Sequence, residues 1–112
     1  MGIGVGCDQE ENMNAININW ETNHAKKLRA RIAIDHIDLK RTLVRLTEAG
    51  VSQMQLSRAL GISQPTISSN LKTAVRIPPV KPGFSGADPY EISQRFAAGE
   101  LTQAQLLDEL LR

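Results

Sequence analysis

The side chains best equipped for chemistry lie in one short run, Ser63 to Arg76, SQPTISSNLKTAVR. Wound at about 100° per residue, this run separates into two faces. Ile67, Leu71 and Ala74 cluster on one side. Pro65, Ser69, Lys72, Thr73 and Arg76 fall opposite, Thr66 borders them, and Gln64 stands at the tip. A carboxamide such as Gln64 donates and accepts at once, the pattern that pairs with adenine N6 and N7. The methylene and methyl groups of Pro65 and Thr66 suit a thymine methyl, and Ser69 can take either role. Lysine and arginine further along suit phosphate oxygens. This is recognition chemistry, not bond-making chemistry. His24 and His36 have no metal-ligand spacing to Cys7 or to any carboxylate set. Asp108 and Glu109 are adjacent, so they diverge on a helix, and Ser63, Ser68 and Ser69 lack a nucleophile-elbow setting. The expectation is a non-enzyme with no metal and no cofactor.

Two short helices must position that face. Leu56 and Leu60 lie four apart on one stripe. Gly61 follows where a helix needs a left-handed residue. Ile62 is the apolar residue past the turn, Ser63 is an N-cap, and Pro65 tolerates the first helical turn. Ile67, Leu71 and Val75 repeat every four residues after it. Ser52 with Gln55 forms a capping box for the first helix. Two apolar stripes separated by one glycine describe a helix-turn-helix.

The run Q-x-x-L-S-x-x-L-G-I-S-Q-P-T-I-S-x-x-L from Gln53 to Leu71 resembles the DNA-binding helix-turn-helix of bacterial and phage repressors and of resolvase-type recombinases. Gly61, Ile62, Ile67 and Leu71 match its turn and core positions. Ser57 stands where that pattern has alanine, at the close crossing of the helices. Gln53 and Gln64 match the paired glutamines of phage-repressor-type proteins, and the resemblance implies that Gln53 grips a phosphate. A recognition helix enters the major groove with its N-terminal part toward the bases. The expected base contacts are therefore Gln64, Pro65, Thr66 and Ser69, with A·T pairs at the centre of each half-site. The expected phosphate contacts are Gln53, Ser68, Lys72, Thr73 and Arg76. The tail GFSGADPYEISQRFAAGELTQAQLLDELLR is similar to C-terminal tails of small actinobacterial or actinophage helix-turn-helix proteins.

The 112 residues suit one small domain with tails. Net charge is +1 but unevenly spread. Residues 1–20 carry three acids and no base, residues 21–76 ten bases and four acids, and residues 77–112 three bases and five acids. The middle segment, at +6, has the electrostatic footprint of a nucleic-acid module. Trp20, Phe84, Tyr90 and Phe96 are too few for single-strand stacking platforms. Cys7 is alone, which suits a reducing cytoplasm, and neither a signal-peptide pattern nor a membrane-length apolar run is present.

The expected fold is all-α: a small helical bundle with a central helix-turn-helix. Residues 1–19, polar and asparagine-rich after GIGVG, read as a poorly ordered tail. Residues 20–76 form the DNA-binding domain. Thr22 is a candidate N-cap, and Asp35-His36-Ile37-Asp38 reads as a break between two helices, with one long helix as the alternative. Lys26, Lys27, Arg29 and Arg31 reach phosphates or form a solvated face. Gly50 closes the second helix. Residues 77–87 are a Pro/Gly arm. Residues 88–112 form a helical hairpin, with Asp88 and Thr102 as caps and Gly99 between them. Leu106, Leu107, Leu110 and Leu111 make its apolar stripe, either a homodimer or protein-partner surface or a helix that folds back on the core. The expected role is a cytoplasmic transcriptional regulator or repressor binding double-stranded DNA as a dimer. The alternatives are an antitoxin of a toxin-antitoxin pair and an accessory factor in recombination or partition.

Overall fold

The computed structural model describes the backbone of residues 2–112 and the side chains of residues 17–112. Among the described residues five helices follow in order: α1 Gly2–Glu48, α2 Gln53–Leu60, α3 Gln64–Ala74, α4 Pro89–Ala97 and α5 Gln103–Leu111. Among the described residues there is no strand, so the protein is all-α. Among the described residues, no helix is long and apolar enough to cross a membrane. The expectation of a poorly ordered tail over residues 1–19 falls largely outside the residues whose side chains are described; residues 17–19 belong to α1.

Helix α1 is the spine. It runs without interruption through Asp35-His36-Ile37-Asp38, so the expected break there is corrected, and Thr22 lies inside the helix rather than capping one. The physical reason is tertiary. Ile34 is fully buried, and Ala30 and Ile34 pack on Ala98 with Ile37 at the edge. Asp38, a poor helix former, accepts a hydrogen bond from Arg95 at 2.8 Å. These contacts outweigh a propensity cost of a few tenths of a kcal/mol per residue.

A second apolar cluster forms further along α1. Leu43, Leu56 and Ile67 are its buried centre, and Leu46, Val51, Ile62 and Leu71 close around them. Thus α2 and α3 sit on the C-terminal end of α1, while α4 sits beside its middle. Gly50 and Gly99 both adopt the left-handed backbone that ends a helix. Ser52 with Gln55 and Thr102 with Gln105 form complete capping boxes, and Asp88 caps α4 by accepting from the Glu91 N–H.

The arm from Ile77 to Ala87 has no regular structure, yet it is fastened at several points. The Pro78 carbonyl accepts from Arg41 at 2.9 Å. The Ser85 N–H and hydroxyl both donate to Glu109, at 2.7 and 2.6 Å. The Ala87 N–H donates to Glu91 at 2.9 Å. Helix α4 is held to α1 by an ion network around Glu91. Arg41 donates through both terminal nitrogens to the two Glu91 oxygens, at 2.7 and 2.8 Å. Arg95 donates to Glu91 at 2.7 Å, to Asp38 at 2.8 Å and to Glu100 at 2.8 Å. Burial pushes the Glu91 carboxyl up, but hydrogen bonds from Arg41, from the Ala87 N–H and from Arg95 outweigh it and hold the group at about 2. The Arg95 guanidinium is destabilised by burial and more than restored by Asp38, Glu100 and Glu91.

On α5 the leucine stripe is not the buried face. Leu106 is half-buried, whereas Leu107, Leu110 and Leu111 are exposed. The most buried residue of α5 is Glu109, which Ser85 satisfies. Leu28 and Ile32 stay exposed on α1, so α5 does not fold back over them.

Candidate nucleic-acid interface

Helices α2 and α3 are joined by Gly61, Ile62 and Ser63. Gly61 has φ 69, a left-handed value that L side chains rarely adopt, and its N–H closes α2 on the Ser57 carbonyl. The Ser63 hydroxyl accepts from the Thr66 N–H at 3.3 Å, so α3 begins at Gln64 with Pro65 in its first turn. Ser57, at the crossing of the two helices, donates its hydroxyl to the Ile62 carbonyl. It is therefore more than a small residue in an alanine position: it ties α2 to the turn.

Ile67 and Ala74 are buried and Leu71 is half-buried, which is the inward face read from the sequence. Val75 is 81% exposed, and Leu60 is exposed too. Both apolar stripes are therefore one turn shorter than their four-residue spacing indicates. Val75 serves as the C-cap of α3, where the inward position has already passed to Ala74.

The outward face of α3 assembles most of the expected contact residues. Gln64, Pro65, Thr66, Ser69, Lys72 and Arg76 are all exposed. Gln64 occupies the first helical position, with its amide free of any hydrogen bond among the described residues. Thr66 is exposed, and its hydroxyl shares a hydrogen bond with Ser63 at 2.8 Å. Ser68 and Gln53 are half-buried at the margin of the surface. Thr73 is half-buried. Its hydroxyl donates back to the Ser69 and Asn70 carbonyls, at 3.2 and 3.1 Å, so the proton a phosphate would need is already engaged.

The stretch of sequence that carries this face is one-signed in charge. Between Glu48 and Asp88 the chain has no acid, and it has four bases: Arg58, Lys72, Arg76 and Lys81. Arg58, in the last turn of α2, is exposed beside the turn and lies outside the helical wheel of α3. The acid-free stretch is the signal that finds it. The α1 cluster lies elsewhere. Lys27 packs its chain end near Gly99, and Lys26 and Arg29 border a groove with Tyr90, Gln94 and Ala97. These groups stand beside α4, about 20 Å along α1 from the seat of α3 at 1.5 Å per residue. Arg41, also counted in the positive middle segment, is committed to Glu91.

No group of three His, Cys, Asp or Glu side chains among the described residues is arranged to hold a metal ion. No family description, curated protein or solved structure gives a significant match to this chain.

Proposed function

We propose that this protein is a sequence-specific double-stranded DNA-binding protein of the bacterial or phage helix-turn-helix type, acting as a cytoplasmic transcriptional regulator. What supports the reading is one observation above all. The outward face of α3 gathers a free glutamine amide at the helix start, apolar methyls beside it and two cations beyond, in a stretch with no acid. Gln64, Pro65, Thr66 and Ser69 meet base edges, and Lys72, Arg76 and Arg58 meet phosphates. No catalysis, metal or cofactor enters.

The test is selection from a randomised duplex library at two salt concentrations, with Gln64→Ala and Lys72→Ala alongside the parent. The parent enriches a site with A·T pairs central in each half. Gln64→Ala costs about 1–3 kcal/mol of discrimination at one position and blurs it. Lys72→Ala weakens all sequences alike and lowers the salt slope by about 1. Enrichment of half-sites built only from guanine and cytosine sinks the base-contact assignment, and no binding at moderate salt sinks the whole reading.

A second reading has its own observation. Leu107, Leu110 and Leu111 are exposed at the end of the chain, which is where an antitoxin would hold a toxin while α3 holds the operator. Co-purification of one stoichiometric partner that is released by Leu110→Asp, with DNA binding intact, separates this role from a lone regulator.

A further inference from the structure

Among the described residues, two other parts of the chain pack on helix α1. Helix α4 packs on Ala30, Ile34 and Ile37, and the α2–α3 pair packs on Leu43 and Leu46. On the side turned away from α4, Leu28, Ile32 and Leu39 remain 44%, 56% and 37% exposed. With Ala25, Asp35 and Thr42 they recur at alternating spacings of three and four, which are the a and d positions of a heptad. In the same frame Ala30, Ile34 and Ile37 fall at f and c, the far side. One helix thus carries a used apolar seam and, over residues 25–42, an exposed one, whose next a position, Leu46, already packs under α2 and α3.

We propose that a second copy of this chain covers the exposed seam, its α1 lying antiparallel, with Leu28 of each copy against Leu39 of the other. The charges along the seam choose this direction. Arg31 flanks its first half at a g position, and Asp35 and Asp38 lie in the second at d and g, with Arg45 beyond them. A parallel pair in register stacks Asp35 on Asp35 within the seam. An antiparallel pair centred between Ile32 and Asp35 brings Arg31 of each copy beside Asp35 and Asp38 of the other, twice by symmetry. Arg31 has no ion pair among the described residues, and the Asp38 side chain is half exposed despite its bond to Arg95. Asp35 within an apolar seam costs stability and fixes register, a known use of a polar core position.

Spacing gives an independent check. Leu43 and Leu46 lie about 16 Å from that centre at 1.5 Å per residue. The two α2–α3 modules therefore stand about 33 Å apart, against the ~34 Å between half-sites one helical turn apart. Leu43 is an e position, and e positions of an antiparallel pair share one flank, so both modules emerge on the same face. This spacing rests on the DNA-binding reading; the charge pattern does not. The dimer surface accordingly moves from the C-terminal leucines to α1.

Disulfide trapping tests the arrangement in a Cys7→Ser background. A Leu28→Cys chain mixed with a Leu39→Cys chain gives a mixed disulfide dimer on mild oxidation, at least about tenfold more than either chain alone. Equal trapping of Leu28→Cys with itself means a parallel pair and overturns the proposal, as does no trapping at high micromolar concentration. Sedimentation equilibrium supplies a second measurement. Arg31→Asp raises the dimer dissociation constant about tenfold, because two exposed attractions become repulsions, and adding Asp35→Arg to the same chain restores it. Both positions are exposed, so circular dichroism stays unchanged. No rescue overturns the charge pairing. Duplex binding is measured on the same samples: trapped dimers that bind no DNA keep the antiparallel pair and remove the DNA reading, while DNA binding without trapping does the reverse.

Discussion

Replacing Glu91 by glutamine removes one charge from the centre of the network and nearly nothing else. The new amide is the same size as the carboxylate, yet it leaves Arg41 and Arg95 facing each other with no negative charge between them. Arg41 keeps the Pro78 carbonyl, and Arg95 keeps Asp38 and Glu100. The depression of Glu91 from 4.5 to about 2 corresponds to about 3 kcal/mol at 1.36 kcal/mol per unit. Removing one partner of a buried pair costs about 3–5 kcal/mol. The low end applies, since Asp38 and Glu100 are half exposed and still hold Arg95. About 3 kcal/mol is a large share of the 5–15 kcal/mol that holds an ordinary domain together.

Urea unfolding followed by circular dichroism, at pH values from 7 down to 2, measures it. The sign follows from the direction of the shift. A carboxyl with a lowered folded value contributes its full stability above the unfolded value near 4.5 and loses it as pH falls toward 2. Wild type therefore loses about 3 kcal/mol across that window that Glu91→Gln never had. The two proteins differ most at pH 7 and converge at pH 2. A difference below about 1 kcal/mol at pH 7 would refute the buried-network account, and so would a difference that does not change with pH.

Other outcomes follow from single contacts. At Gly86 an added Cβ meets the Glu91 Cβ and Cγ and the Ile92 nitrogen, all at 2.9 Å, so Gly86→Ala forces the arm off α4 and costs about 1–3 kcal/mol in the same unfolding assay. Ser52→Ala removes the acceptor of the Gln55 N–H and costs about 1 kcal/mol, read as a lower urea midpoint with unchanged slope. Thr73→Val leaves duplex affinity and its salt dependence within about twofold of the parent, because the hydroxyl proton is held by Ser69 and Asn70; fluorescence anisotropy checks this against Lys72→Ala.

The features legible in the sequence are those decided within three or four residues. Ser52, Ser63, Asp88 and Thr102 cap helices because a side-chain oxygen reaches a backbone N–H three positions on. Gly61 marks the turn because its backbone is left-handed. The wheel of α3 sorts its faces correctly until the helix ends at Ala74, after which Val75 no longer obeys it. What the sequence does not disclose is decided across long separations. The continuity of α1 depends on Arg95 reaching Asp38 and on Ala98 meeting Ile34. The exposure of the α5 leucines depends on Ser85 drawing Glu109 inward. No local pattern announces either pairing.

The placement of both clusters on one helix also sets an order of assembly. The cluster under α2 and α3 is built from Leu43 to Leu71, a contiguous stretch whose loops are short and close readily. The contacts that seat α4 join residues 50 and 57 apart. Loop closure over such distances follows nearby contacts rather than preceding them. During synthesis the α2–α3 module can therefore complete itself on the end of α1 before Glu91 has left the ribosome. The α4–α5 hairpin then docks as a separate cooperative unit.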